Sequence, residues 1–407
     1  MQNPKNYEIV LFICRIQPLH KAHVKCMKLG LSRGKQLVVL IGSTECNNTL
    51  TNPFSFEQRS QMIFDSAIFS EEELNRITVL QLPDSPYSMN EWINSVLNNV
   101  RIVNTANIDN SKIAILSSDK GGDDKLRAEW LPFYDVISHH VDPQNIINAT
   151  DIRDSLYSFV FLNSNPIKDF NKKVLKNLNA LHDYLISAFT SKMHLSTIER
   201  VIVFLNYKSK VCDLPLVEYL FNEYVARYKY TQPYTRLLES GDLKYPVQHM
   251  TVDTLVYCAG HILLIKRKNH PGAFTFALPG GFKENIETCF DGALRELKEE
   301  THIDVPLSIL KSCTVDEKIF DHPQRSNIGT LITMAYFISL PTQNTSVKGG
   351  LVRNVGGLPK VKGCDDAMSA QWVPINTALE QIYHDDHLHI IKYFLGRNSD
   401  NVGGFYK

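Results

Sequence analysis

Two rhythms of apolar and polar positions divide the chain. Up to about residue 155, apolar runs alternate with amphipathic stretches. Residues 9–13 and 37–41 are continuous apolar runs, as expected of strands buried on both faces. Helical periodicity covers residues 23–32, 56–67 and 90–100, while 77–82, 113–116 and 134–137 carry strand signals. Alternation of this kind predicts an α/β domain with a parallel sheet and helices on both faces, with ligands at the carboxyl ends of the strands.

Between residues 156 and 245 the pattern changes. Residues 172–188 and 217–228 have helical spacing, charged and aromatic side chains mix, and no chemical motif stands out. From about His249 strands dominate: 251–258, 261–265, then a Gly/Pro turn, one strong helix, strands near 331–340 and 371–373, and a closing helix over 388–395. The expected organisation is an α/β domain over residues 1–190, a helical connector over 191–244, and an α+β domain with a sheet between helices over 245–407.

Length and composition agree with two domains. The 407 residues exceed one ordinary core, and 43% hydrophobic content excludes general disorder. Lys and Arg number 43 and Asp and Glu number 43, so net charge is zero. That balance argues against duplex nucleic acid or an anionic membrane as partner. The 8 cysteines are scattered without a C-x-x-C pair, which suggests neither a zinc knuckle nor a disulfide framework. No apolar run reaches the ~20 residues needed to span a bilayer, and the polar start lacks a signal peptide. A cytoplasmic protein is expected.

The strongest chemical signal begins at Gly281 and Glu287 and continues through Arg295-Glu-Leu-Lys-Glu-Glu300. On a helix, Glu296, Glu299 and Glu300 share one face. Three like charges on adjacent turns repel unless a cation sits among them, and hard oxygen ligands suit Mg²⁺ or Mn²⁺. Arg295 is expected to turn the other way and pair with Glu287 across the preceding loop. The full pattern, G-x5-E-x7-R-E-L-x-E-E-x-x-I, resembles the Nudix box of diphosphate hydrolases. That resemblance implies an α/β/α sandwich and makes Glu296 and Glu300 principal metal ligands, with Glu299 beside them. It further implies attack of water on a nucleoside diphosphate derivative. His302 stands where the family has a glycine, so a slightly strained helix end is expected. Asp365 and Asp366 are both candidates for a further assisting carboxylate, or for a turn.

After the first apolar run come Arg15, Gln17, His20 and His23, where a loop becomes a helix. Free N–H groups and positive potential at a helix N-terminus favour phosphate, and two imidazoles with a guanidinium would clamp a triphosphate. The stretch Arg15-Ile-Gln-Pro-Leu-His-Lys-Ala-His23 resembles that of the nucleotidylyltransferase superfamily in its NMN adenylyltransferase branch, which implies a Rossmann-like fold. Asn52-Pro-Phe-Ser-Phe-Glu-Gln-Arg59 and Asn148-Ala-Thr-Asp-Ile-Arg153 are similar to further stretches of that branch. By resemblance Gln17, Thr150 and Arg153 hold ATP, while Asp84 and Trp92 hold NMN, Trp92 by stacking. Ala22 replaces a signature glycine, Ile16 an aromatic residue. The segment 118–124 matches the family's lysine-bearing loop only loosely.

The order of the two domains is similar to a family of fused enzymes of NAD metabolism. That implies NMN + ATP to NAD + diphosphate at the first site and Mg²⁺-dependent cleavage of ADP-ribose to AMP and ribose 5-phosphate at the second. The partners implied are small nucleotides, with no nucleic acid or membrane, and a homo-oligomer is compatible. The stretch 320–326 resembles part of the fusion's hydrolase domain, so Arg325 is either a substrate contact or a surface-turn residue. Two alternatives stand. One is a Nudix hydrolase of another nucleoside diphosphate derivative with a scaffold-like first domain. The other is an ADP-ribose-sensing regulator.

Overall fold

The computed structural model describes residues 6–45, 48–64, 68–118, 130–139, 147–163, 178–341, 344–348, 351–355 and 357–398. Residues 119–124 of the expected lysine-bearing loop lie outside them. The chain divides into two compact units, Met1–Phe221 and Asn222–Lys407.

In the first unit, strands β1 (Tyr7–Cys14), β2 (Gly34–Ile41), β3 (Ile77–Gln81), β4 (Ile113–Ser118) and β5 (Asp135–His139) form one sheet in the order β3-β2-β1-β4-β5. Every pairing is parallel. Val10, Leu11, Val38, Val39 and Leu40 have no exposed surface, which is why the first two strands read as unbroken apolar runs. The longer helices are α1 (Lys21–Arg33), α2 (Phe56–Phe64), α3 (Met89–Val103), α4 (Ala149–Asn163), α5 (Leu178–Phe189) and α6 (Leu195–Asn206). The α6 residue Phe204 is buried against Phe54, with ring centroids 6.4 Å apart. The strand order reverses at β1, so its carboxyl end opens onto the crevice where open α/β sheets bind ligands.

Helix α7 (Leu216–Ser240) runs 25 residues and passes through Pro233, well beyond the 217–228 read from periodicity. A mid-helix proline removes one backbone hydrogen bond. Packing compensates: Tyr230 stacks on Phe282 at 5.9 Å, and Tyr234 meets His249 at 5.0 Å.

The second unit carries a sheet with the order β10-β11-β6-β7-β14. Its strands are β6 (Gln248–Cys258), β7 (His261–Arg267), β10 (Thr314–Phe320), β11 (Thr330–Leu340) and β14 (Ala367–Pro374). β6 and β11 run parallel, while β7 and β14 pair antiparallel. Two short strands, β8 (Phe276–Ala277) and β9 (Gly280–Phe282), join β7 and β6. Strands β12 (Asn344–Lys348) and β13 (Leu351–Val355) form a separate hairpin. Helices α8 (Cys289–Thr301) and α9 (His387–Arg397) complete the elements used below. Leu294 and Leu297 of α8 bury against Val256, Leu263 and Ile338 of the sheet, so the opposite helix side is left to its charged residues. Among the described residues no helix is long and apolar enough to cross a membrane.

Strand β10 escaped the sequence pattern because its apolar alternation faces outward: Val315 and Ile319 are about half exposed and only Phe320 is buried.

Candidate active sites

At the end of β1 the chain turns sharply. Ile16 sits at φ +52°, in the left-handed region, although it is β-branched and fully buried. Such a conformation costs on the order of 1–3 kcal/mol and persists only where neighbours enforce it. The neighbours are two arginines. Arg59, buried without exposed surface, donates from Nη1 to the carbonyls of Arg15 (2.8 Å) and Gly42 (2.6 Å) and from Nη2 to that of Ser43 (3.2 Å). Arg153 donates from Nη1 to the Gln17 carbonyl at 2.6 Å and from Nη2 to Thr150 Oγ1 at 3.1 Å. The strained residue therefore lies between two carbonyls, each held by a guanidinium. The Gln17 side chain exchanges two bonds with the Phe54 backbone, at 2.9 and 3.0 Å.

Helix α1 starts on this turn. His20 is its N-cap, and the His20 and His23 rings stack at 3.7 Å. The His20 N–H donates to His23 Nδ1 at 3.4 Å. Burial lowers the Arg153 guanidinium and the nearby Arg15 lowers it further. Two guanidiniums that repel each other, beside a helix N-terminus with paired imidazoles, have the chemistry to take up an anion. A guanidinium has five N–H donors, so the bonds of Arg153 to the Gln17 carbonyl and Thr150 Oγ1 do not exhaust it.

The turn carrying Arg15, Gln17 and His20, the first turn of α1 with His23, and the start of α4 with Thr150 and Arg153 thus meet. Asp84 is linked to it by its charge, which favours the Arg59 cation. Trp92 is half-buried against the sheet core and meets Trp130 edge to face at 5.7 Å. Among the described residues neither of these contacts belongs to the phosphate loop. Ala22 lies inside α1, so no glycine conformation is needed there; the demand for positive φ falls on Ile16 instead. By sequence Arg59 stands out only as part of a motif; the further signal is an arginine amid Phe54, Phe56, Met62 and Ile63, on the apolar side of its helix.

In the second unit, Thr288 caps α8, its Oγ1 accepting from the Asp291 N–H at 3.1 Å. His302 ends the helix at φ +44°, the left-handed conformation expected to strain a histidine. Lys298 Nζ donates to the Ile303 and Val305 carbonyls, both at 2.6 Å, and ties down the chain beyond.

Arg295 makes the expected pair with Glu287: Nε to Oε2 at 3.1 Å and Nη2 to Oε1 at 2.9 Å. That fork holds the Glu287 carboxyl down at about 2. Arg295 does not turn away from the other glutamates, however. Nη1 donates to Glu296 Oε1 and Glu299 Oε2, each at 2.9 Å, and Nη2 reaches the Phe282 carbonyl at 3.2 Å. Glu299 leans out to Arg295, and among the described residues no three acidic, His or Cys side chains gather as a metal cluster. Glu300 is 3% exposed, and its Oε2 accepts from the Gly280 N–H at 2.9 Å. Burial, then the neighbouring Glu296 and Asp253, push its carboxyl up to about 8. Burial also raises Glu296, with added repulsion from Glu299 and Asp365.

Two carboxyls in a dry site resist ionising together, and a divalent cation is the partner that lets both ionise. Glu296 and Glu300 fit such an ion. Gly281 fits as well, since a Cβ there would lie 2.5 Å from Glu296 Oε1. Asp365, at φ +55°, acts on Glu296, whereas the Asp366 carboxylate accepts from Asn269 Nδ2 at 3.0 Å.

A family model described as NUDIX domain matches residues 247–394, and one described as cytidylyltransferase-like matches residues 11–116. An ADP-ribose pyrophosphatase from Methanocaldococcus jannaschii is 30% identical over 164 residues, covering 39% of this chain and 83% of that protein. The chain belongs to the Nudix family.

The Nudix domain is preceded by the cytidylyltransferase-like one. A nicotinamide-nucleotide adenylyltransferase from Thermococcus kodakarensis is 29% identical over 143 residues, 35% of this chain and 69% of the relative. Both domains are matched together by the crystal structure of a bifunctional NMN adenylyltransferase/ADP ribose pyrophosphatase from Francisella tularensis complexed with AMP and Mn ion. It is 27% identical, has a TM-score of 0.72, and the match covers 96% of this chain and 99% of that one.

Within the Nudix domain Arg325 is not a surface-turn residue. It is buried and forks onto Asp386, Nε to Oδ2 at 3.1 Å and Nη2 to Oδ1 at 2.8 Å.

Proposed function

We propose that the chain is a two-site enzyme of NAD metabolism. At the first site the 5′-phosphate of NMN attacks the α-phosphorus of ATP in line; the new P–O bond forms NAD and diphosphate leaves. No covalent intermediate is needed, so positioning and electrostatics carry the catalysis. Arg15, His20 and His23 neutralise the departing charge, Gln17, Thr150 and Arg153 hold ATP, and Asp84 and Trp92 hold NMN.

At the second site ADP-ribose is hydrolysed to AMP and ribose 5-phosphate. Glu296, Glu299 and Glu300 would hold Mg²⁺, with Gly281 leaving room. Bound there, the ion supplies a water of lowered pKa and a counter-charge for the diphosphate. Glu287 and Arg295 brace the helix, and Asp365 orients the water. The working partners are small nucleotides, and the location is cytoplasmic.

The observation that carries this function is the likeness to the Francisella enzyme over 96% of the chain, with an anion turn in one unit and a carboxylate helix in the other. The test is a pair of assays on one preparation. NAD formation from NMN, ATP and Mg²⁺ is expected to vanish in His20→Ala and His23→Ala, and ADP-ribose cleavage in Glu300→Gln, each leaving the other activity intact. Wild-type protein that cleaves ADP-ribose but makes no NAD would reduce the first domain to a scaffold.

A further inference from the structure

Behind the carboxylate helix, Leu278, Pro279 and Gly280 are each tied by a hydrogen bond. The Gly280 N–H donates to Glu300 Oε2 at 2.9 Å. The Pro279 carbonyl accepts from the Thr254 N–H at 2.9 Å and from Thr254 Oγ1 at 3.2 Å. The Leu278 N–H donates to His387 Nδ1 at 2.9 Å. The first two ties come from the sheet and from Glu300 itself. The third comes from the C-terminal helix α9, remote in sequence from both.

We infer that His387 is a positioning residue for the metal carboxylate Glu300: it fixes Leu278, and through the next two residues aims the Gly280 N–H at Glu300 Oε2. The inference rests on the metal role proposed above for Glu300.

Several features hold His387 to this task. The ring is the first residue of α9, and the residue before it, Asp386, is forked by buried Arg325. The Arg325–Asp386 pair therefore sets where the imidazole stands. Only a neutral ring with a bare Nδ1 can accept from an amide. Burial, with Arg325 and Arg267 nearby, brings His387 down to about 3, so the ring stays neutral. With Nδ1 accepting, the ring proton belongs on Nε2, which faces Asp253 Oδ1 at 3.9 Å. Asp253 in turn accepts from Thr333 Oγ1 at 2.6 Å. Gly280 itself packs close on β6, since a Cβ there would lie 2.2 Å from the Val252 carbonyl and 2.4 Å from Asp253 Oδ1. The C-terminal helix thereby contributes to metal binding without touching the metal.

Two isosteres separate positioning from packing. In His387→Asn the side-chain oxygen stands where Nδ1 stood and can accept from Leu278. In His387→Gln it stands nearer the place of Nε2 and cannot, although Gln fills the volume better. Mn²⁺ binding to the full chain without nucleotide would be followed by EPR titration, with Glu300→Gln subtracting binding elsewhere. The first-domain NAD synthesis would serve as the control for an intact chain. Loss of a hydrogen bond that orients a metal ligand typically costs 10–100-fold in affinity. Asn is expected within a few-fold of wild type, and Gln about 10–100-fold weaker. Gln binding as tightly as Asn, or more tightly, would overturn the inference and leave His387 as packing. Amide exchange at Leu278 gives a reading independent of metal: faster in Gln than in Asn if His387 holds the loop, equal if it does not. Mn²⁺ affinity unchanged in Glu300→Gln would instead sink the metal role of Glu300 on which the inference stands.

Discussion

Replacing Arg59 by methionine sets two buried terms against each other. Loss of the guanidinium leaves the Arg15, Gly42 and Ser43 carbonyls without their donor. At about 1 kcal/mol for each buried acceptor left unmet, the cost is about 3 kcal/mol. Against this, burial brings the Arg59 cation down to about 10. At neutral pH the group is charged in both folded and unfolded chains, so that depression is a destabilisation of about 3 kcal/mol that the variant escapes. The two nearly cancel, and the stability of Arg59→Met is expected to lie within about 2 kcal/mol of wild type. Function does not cancel in the same way. With the Arg15 carbonyl released, Ile16 can leave φ +52°, and Arg15, Gln17 and His20 move with it. Misplacement of about an ångström is worth up to about 100-fold, so kcat/KM for ATP in NAD synthesis should fall about 10–100-fold. ADP-ribose cleavage by the same chain should hold. The assay is steady-state NAD formation beside a thermal melt. An unchanged kcat/KM would refute the claim that Arg59 shapes the phosphate turn, and a parallel loss of both activities would show that it simply holds the fold.

Other outcomes follow from single contacts. Gly281→Ala places a Cβ 2.5 Å from Glu296 Oε1, so Mn²⁺ affinity and ADP-ribose cleavage should both drop at least about tenfold while the melting temperature moves little; calorimetric titration checks this. Glu287 is held near 2 by Arg295, so its stabilising pair is fully present above the ordinary carboxylate pKa and is lost as pH falls from about 4.5 towards 2. Arg295→Lys, which cannot fork, should raise the Glu287 carboxyl towards its ordinary value, read by NMR titration of that side chain. His302 at φ +44° carries about 1–2 kcal/mol of strain, and glycine costs about 0.5–1 kcal/mol in unfolded-chain entropy. His302→Gly should therefore stabilise the Nudix domain by up to about 1 kcal/mol, visible in denaturant unfolding.

Much of this protein is written locally. Unbroken apolar runs at β1 and β2 announce a sheet covered on both faces, because each strand meets helices above and below. Glutamates at 296, 299 and 300 share a helix face through spacing alone, and a fork between Arg295 and Glu287 is reachable across one turn. Other features depend on residues far apart in sequence. The carboxyl of Glu300 rises because burial strips its water, and burial is a property of the packed sheet. The orientation of Glu299 depends on which oxygens Arg295 reaches first. Arg325 looks like a surface cation until Asp386, 61 residues later, closes on it. Helix α7 outlasts its own proline because Phe282 and His249 supply rings for Tyr230 and Tyr234 to pack against. Local periodicity fixes which residues face the same way. Only the assembled fold decides which of them lose water, and that loss determines their charge and their partners.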